Sequence, residues 1–226
     1  MADVSGSSAS QVARMSYSPE IILLFSGKRK SGKDYITDKL FETLGSDASV
    51  IIKISGPIKS HWAKARNLDL NQLLSDGEYK EKYRLEMIKW GEDTRKNDPG
   101  YFCRASIDMY NVILMSITPG IFYLWKPLQP LYSLLLAHGK RIWIVSDIRR
   151  KTDLKWFRDN FPQKCKSIRI NCGDAVRIQR GWIFTPGVDD CETECDLDDV
   201  KDWDLTILNE GASSKELLKS LLHLIG

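Results

Sequence analysis

Lys28, Arg29, Lys30 and Lys33 crowd into one short stretch, Gly27 to Asp34, which reads GKRKSGKD. Its two glycines and Lys33 keep the G-x-x-x-x-G-K spacing of a loop that wraps a phosphate chain. Gly27 and Gly32 let the backbone close around phosphate oxygens. The freed amides and a following helix N-terminus supply partial positive charge, and Lys33 reaches the terminal phosphates. Asp34 stands where the usual pattern has Ser or Thr. A hydroxyl there would ligate magnesium directly, whereas a carboxylate can take the ion, hold its water or answer one of the loop cations.

Such a loop needs a strand to launch it and a helix to receive it. Ile21 to Phe25 run apolar without alternation, the pattern of a strand buried on both faces. From Ser31 the residues Tyr35, Ile36, Leu40, Phe41 and Leu44 recur at helical spacing, and Gly45 is placed to stop the helix. The rest continues in α/β rhythm. Strands are predicted at Ser49–Ser55, Arg141–Asp147, Ser167–Cys172 and Trp203–Leu208. Helical patterns cover Ile58–Leu74, Ser75–Asn97, a run starting at Tyr101, and Ser214–Ile225. Tyr79, Tyr83, Met87 and Trp90 form a stripe at intervals of four and three, predicted to be buried. The fold class is therefore α/β, a parallel sheet covered by helices.

The chain of 226 residues suits one such domain, and its composition is that of an ordinary globular protein. A formal charge of +3 is too small to argue for nucleic acid. Five cysteines, an odd number at irregular spacing, point to a reduced compartment rather than a disulfide framework. Cys191 and Cys195 alone, without a second pair, are weak support for zinc. Residues 1–19, rich in Ser and Ala, read as a disordered tail, leaving 20–226 as a single domain. The acidic run after Gly187 reads as a mobile, solvated segment.

Asp147 ends a predicted buried strand, where a carboxylate beside a phosphate loop can hold magnesium or its water. Arg149 and Arg150 follow directly. Arg84, Arg95, Arg104, Arg177 and Arg180 add more guanidiniums, and Lys59 opens a helix. Planar guanidiniums suit bidentate contacts to phosphate and carboxylate, so this constellation describes phosphoryl transfer to an acidic second substrate. A phosphate acceptor, with a second pKa near ~6, is already ionised at neutral pH and needs no strong general base. That agrees with three histidines, His61, His138 and His223, which show no catalytic arrangement.

LLFSGKRKSGKD at 23 to 34, SGPIK at 55 to 59, IKWGEDTRKNDPGYFCR at 88 to 104, IWIVSDIRR at 142 to 150 and RGWIFTPGVDD at 180 to 190 closely resemble the animal-type phosphomevalonate kinases. The resemblance spans about 20–110 and 139–226. It implies a nucleoside-monophosphate-kinase-like P-loop fold with a closing lid at 174–199. It also implies transfer of the ATP γ-phosphoryl group to 5-phosphomevalonate, with ATP and Mg2+ required. By motif, Lys28, Arg29, Lys30, Ser31, Gly32, Lys33, Asp34, Arg180 and Asn209 would hold ATP. Lys59, Arg84, Arg95, Arg104, Arg149, Arg150, Arg177 and Arg180 would surround the acceptor. Lys33, Arg149, Arg150 and Asp147 would serve the transfer itself, with Asp34 and Asp147 at the metal. A monomeric enzyme of the cytosol is expected, since Leu224-Ile225-Gly226 lacks an S-K-L type signal. Another small-molecule kinase of the same fold, acting on a nucleoside monophosphate or dephospho-coenzyme A, remains the alternative.

Asn111 to Leu136 departs from the family, which connects these elements briefly. It carries one charge, Lys126, and Pro119, Pro127 and Pro130 break any membrane-spanning helix. A surface hairpin, a contact element and translated intron sequence are the three explanations, and the lack of periodicity favours the third. A catalytically silent nucleotide-binding variant is the corresponding functional alternative.

Overall fold

Ile22, Leu23, Leu24 and Phe25 are wholly buried. Successive strand side chains point to opposite faces, so this one run feeds two cores. Ile22 and Leu24 pack with Val145, Phe102 and Phe157 on one side, and Leu23 and Phe25 with Ile36, Leu40, Ile168 and Leu221 on the other. Each such side chain contributes about 1.5–3 kcal/mol relative to exposure, which fixes this strand at the centre of the sheet.

The computed structural model describes residues 19–75, 77–116, 140–211 and 213–226. In chain order the elements are β1 (Ile21–Gly27), α1 (Lys33–Leu44), β2 (Ser49–Ile52), α2 (Gly56–Arg66), α3 (Leu70–Leu74), α4 (Glu78–Asn97) and α5 (Tyr101–Ser116). There follow β3 (Ile142–Val145), α6 (Lys151–Asn160), β4 (Cys165–Asn171), α7 (Asp174–Gln179), α8 (Glu192–Cys195), β5 (Leu205–Leu208) and α9 (Ser214–Ile225). The sheet runs β2-β3-β1-β4-β5 with every pair parallel. α1 and α9 cover one face, and α5 and α6 the other. Parallel neighbours need crossover connections, which is why helices alternate with strands along the chain.

Most strand and helix ends shift by one to three residues, and two departures have a definite cause. The strand predicted to reach Ser55 stops at Ile52, because the amides of Ile54 and Ser55 donate to the Asp147 carboxylate instead of to a ladder. The single helix predicted over 58–74 is two helices. Asn67, at φ 52°, ends α2, and Asp69 Oδ1 starts α3 by accepting from the amides of Asn71 (2.8 Å) and Gln72 (3.2 Å). The stripe of Tyr79, Tyr83, Met87 and Trp90 packs with Trp62 and Leu73 in a third, smaller core under α2 and α3. α5 continues through Ser116, six residues into the apolar segment, and the remainder of that segment and the N-terminal tail up to residue 18 lie outside the described residues. Among the described residues no helix is long and apolar enough to cross a membrane.

Candidate active site

The turn from β1 into α1 lies at the carboxyl end of the central strand, where parallel sheets take ligands. Lys30 and Gly32 both have positive φ, 61° and 85°, so the loop curls back and Ser31 N donates to Lys28 O at 3.1 Å. A Cβ at Gly32 would collide with the Asn209 amide. That amide donates from Nδ2 to Ser31 O at 2.8 Å. Arg180 reaches the same carbonyl with NH1 (3.1 Å) and the Asn209 carbonyl with NH2 (3.1 Å). Asn209 and Arg180 therefore hold the loop's shape through its backbone.

Lys33, the first residue of α1, is buried with Nζ between Asp34 Oδ1 (2.8 Å) and the Ser146 carbonyl at the end of β3. Burial lowers its pKa, and nearby Arg149 adds to this while Asp34 opposes it. Burial works to raise the Asp34 carboxyl, but attraction to Lys33 outweighs it and holds the group below the usual range. Ser31 Oγ is buried with no protein hydrogen-bond partner. A buried hydroxyl of this kind calls for a partner. Together with the curled amides and Lys33, it fits a phosphate oxygen. Asp34 spends one oxygen on Lys33 with its side chain 66% exposed, which leaves a hard oxygen suited to magnesium or its water.

Asp147 has a structural duty that its sequence position did not suggest. Its two oxygens accept Ile54 N at 2.6 Å and Ser55 N at 3.0 Å, so the carboxylate anchors the turn that launches α2. It also faces Lys33, Lys59 and Arg149 and offsets their charges. Around it opens a cavity of about 120 Å³, lined by five cations, Lys59, Lys80, Arg84, Arg95 and Arg149. Two acids, Asp147 and Glu194, share the lining, while Glu81 pairs with Arg84 and Glu92 with Arg95 from outside it, so the lining itself carries an excess of positive charge suited to an anion. Burial lowers the Lys59 pKa, with Asp147 opposing. Arg95 is braced by the Phe102 ring, 4.9 Å from its guanidinium carbon, and by Asp153 at 3.8 Å.

A larger cavity of about 760 Å³ lies on the other side, lined by Lys28, Ser31, Arg169, Arg177, Trp182 and further residues from the ends of β4 and β5. Its roof is the segment expected to be mobile and solvated. That expectation is corrected, because the acids of this segment fold onto the cations of the site. Asp189 is buried and accepts from Arg29 NH1 (2.8 Å), Trp182 Nε1 (3.0 Å) and Thr185 N (2.8 Å). Asp198 takes Lys28 at 2.6 Å and Arg169 at 2.7 Å. Glu194, also buried, accepts from Arg29 N at 3.1 Å and from Arg149 NH1, and it lines both cavities. Arg177 donates from Nε to Arg29 O at 2.8 Å and stacks 3.8 Å from the Trp182 ring centroid. The RGWIFTPGVDD motif thus makes sense as a loop closed by Asp189, with Gly187 at φ 75° turning it.

Most of the expected residues converge, and two do not. Arg104 is half-exposed, pairs with Asp98 and lines neither cavity, because its position on α5 turns it toward the corner before that helix. Arg150 diverges from Arg149. It pairs with Glu92 on α4 at 3.2 Å, with Asp196 at 3.5 Å and with Glu192, and so ties α4 to the roof segment rather than lining either cavity. Those acids outweigh its partial burial and raise its pKa. Sequence reasoning missed Lys80 and Glu194. Lys80 was legible, since it stands one helical turn before Arg84. Glu194 was hidden in an acidic run that looked solvated.

A parallel sheet of order 2-3-1-4-5, with a phosphate loop after its central strand and arginines arching over that loop, defines a P-loop kinase of the nucleoside monophosphate kinase type. A family model described as Phosphomevalonate kinase matches residues 25–119. The Phosphomevalonate kinase of Drosophila melanogaster is 42% identical over 203 residues, 89% of this chain and 94% of that protein. The crystal structure of TT1252 from Thermus thermophilus covers 92% of this chain and 100% of its own at a TM-score of 0.43 and 13% identity, a likeness too loose to carry an inference. The chain belongs to the phosphomevalonate kinase family.

Proposed function

We propose that this chain transfers the γ-phosphoryl group of ATP to the phosphate of 5-phosphomevalonate, giving 5-diphosphomevalonate and ADP. The observation that carries this reading is the five-cation cavity, which meets the phosphate-loop side at a single carboxylate, Glu194. Residues 20–226 act as one kinase domain with 174–199 as its lid. The phosphate loop, Arg180 and Asn209 hold the nucleotide, while Lys59, Lys80, Arg84, Arg95 and Arg149 orient the acceptor, with Arg177 bracing the loop from the lid. Asp34 is the better magnesium ligand of the two carboxylates, since it is exposed, whereas Asp147 is buried with a backbone amide on each oxygen. Magnesium, when bound, neutralises charge on the nucleotide's phosphates.

No strong base is required, because the attacking phosphate oxygen is ionised at neutral pH. Catalysis rests on overcoming repulsion between two anions. Lys33 and Arg149 supply positive charge that is already in place and poorly hydrated, where it counts most. The lid keeps water, a competing acceptor, from the transferring group. The cytosol fits such a reaction.

The test is coupled ADP release from purified protein with magnesium and ATP, with and without 5-phosphomevalonate. Release should depend on the acceptor and fall at least about a hundredfold in Lys33→Met. Equal turnover with a nucleoside monophosphate or dephospho-coenzyme A would overturn the acceptor assignment.

A further inference from the structure

Glu194 is a buried acid to which the transfer reaction gives no role. Its side chain is 5% exposed, and burying a carboxylate is costly unless both oxygens find partners. Here both do. Oε2 accepts from the backbone amide of Arg29 in the phosphate loop at 3.1 Å, and Oε1 accepts from the guanidinium of Arg149. These donors sit on opposite sides of the junction, one in the loop that grips the nucleotide and the other in the wall of the acceptor cavity. Glu194 lines both cavities, so a phosphoryl group passing from one to the other would pass these two donors.

We infer that Glu194 is a resident anion that competes with the terminal phosphate of the nucleotide for Arg29 N and Arg149. The inference rests on the proposed kinase function and adds to it a determinant of nucleotide affinity. The single hydrogen of Arg29 N serves one acceptor, and two anions held side by side against Arg149 repel each other, so a terminal phosphate that takes Arg29 N displaces the carboxylate. The fold allows that displacement. Glu194 rides on α8, a single turn of helix, whose remaining ties to the protein include Arg150 bonded to Glu192 and Asp196. Asp189 and Asp198 also neutralise loop cations, but each pairs with side chains that stay clear of Arg149. Displacing Glu194 therefore couples phosphate entry to movement of the lid, and part of the nucleotide's binding energy goes into that exchange.

The experiment measures dissociation constants for ADP and for a non-hydrolysable ATP analogue by calorimetry, with wild type, Glu194→Gln and Glu194→Asp. Glu194→Gln removes the charge and keeps the shape. Glu194→Asp keeps the charge but is one methylene too short to span both donors, so it serves if the first variant folds poorly. The triphosphate analogue should bind at least about threefold tighter to Glu194→Gln, with a smaller gain for ADP, whose last phosphate lies further from Arg149. A loss of general packing would weaken both ligands alike and overturn the inference. Unchanged affinity in both variants, with wild type binding normally, would overturn this inference alone. Wild type that binds neither nucleotide would overturn the kinase reading along with it.

Discussion

Replacing Asp147 by Asn separates two duties that one carboxylate can have. The structure gives Asp147 to the backbone, with Ile54 N at 2.6 Å and Ser55 N at 3.0 Å and 7% of the residue exposed. An Asn side chain offers one acceptor oxygen, so one of the two amides is satisfied and the other meets an NH2 group. A buried donor without a partner costs about 1–3 kcal/mol. For a chain of this size each kcal/mol moves Tm by about 2–4 °C, so Asp147→Asn should melt roughly 2–12 °C below wild type. The true value should lie in the upper half of that range, because Lys33, Lys59 and Arg149 also lose the charge that offsets theirs. Thermal and urea melts followed by circular dichroism would measure it, with an unchanged urea m-value showing that the unfolded reference is the same. A pure metal ligand behaves in the opposite way, since removing it spares stability or improves it while abolishing the magnesium dependence of turnover. A variant with wild-type Tm and lost magnesium dependence would show that the amide-anchor assignment is wrong.

Two further outcomes follow from the cavity that collects the cations. Arg104→Ala should change the KM for 5-phosphomevalonate by less than about fivefold, as exposed ion pairs are worth about 0.2–1 kcal/mol, whereas Arg84→Ala should raise it roughly tenfold or more, the scale of a lost charge-assisted bond; initial rates against acceptor concentration decide, and equal effects would contradict the placement of Arg104 outside the cavity. Lys59 holds an anion only while protonated, and burial lowers its pKa. Acceptor binding should therefore weaken on the alkaline side at a pH below the ordinary lysine value of ~10.4. Lys59→Arg, always charged, should move that limb upward in a pH profile of kcat/KM, and a limb that stays in place would assign it to Lys33, whose pKa burial also lowers, instead of to Lys59.

The phosphate loop was legible because its determinants are local. Buried strand, glycine spacing, lysine and helix start are contiguous from Ile21 to Leu44, and the structure puts β1 and α1 there with the loop between them. The strand ends were less legible where a distant group competes for the backbone. Ile54 and Ser55 leave the ladder because of Asp147, 93 and 92 residues away, and no local propensity registers such a partner. Direction within a pair of like residues was equally invisible. Arg149 and Arg150 are adjacent in sequence, yet the first joins Glu194 at the junction of the cavities and the second joins Glu92 and Asp196, because consecutive side chains leave the backbone in different directions.

The sequence by itself determined the α/β class, the phosphate loop and the abundance of cations for an acidic partner, since periodicity and short motifs are written in neighbouring residues. Only the tertiary structure decided which cations share a cavity, that Asp147 serves the backbone, and that the acidic run after Gly187 is a roof instead of a solvated segment. The physical reason is that a charge's role depends on what faces it: Asp189 and Asp198 face cations more than 150 positions earlier in the chain, and Glu194 faces a backbone amide as distant.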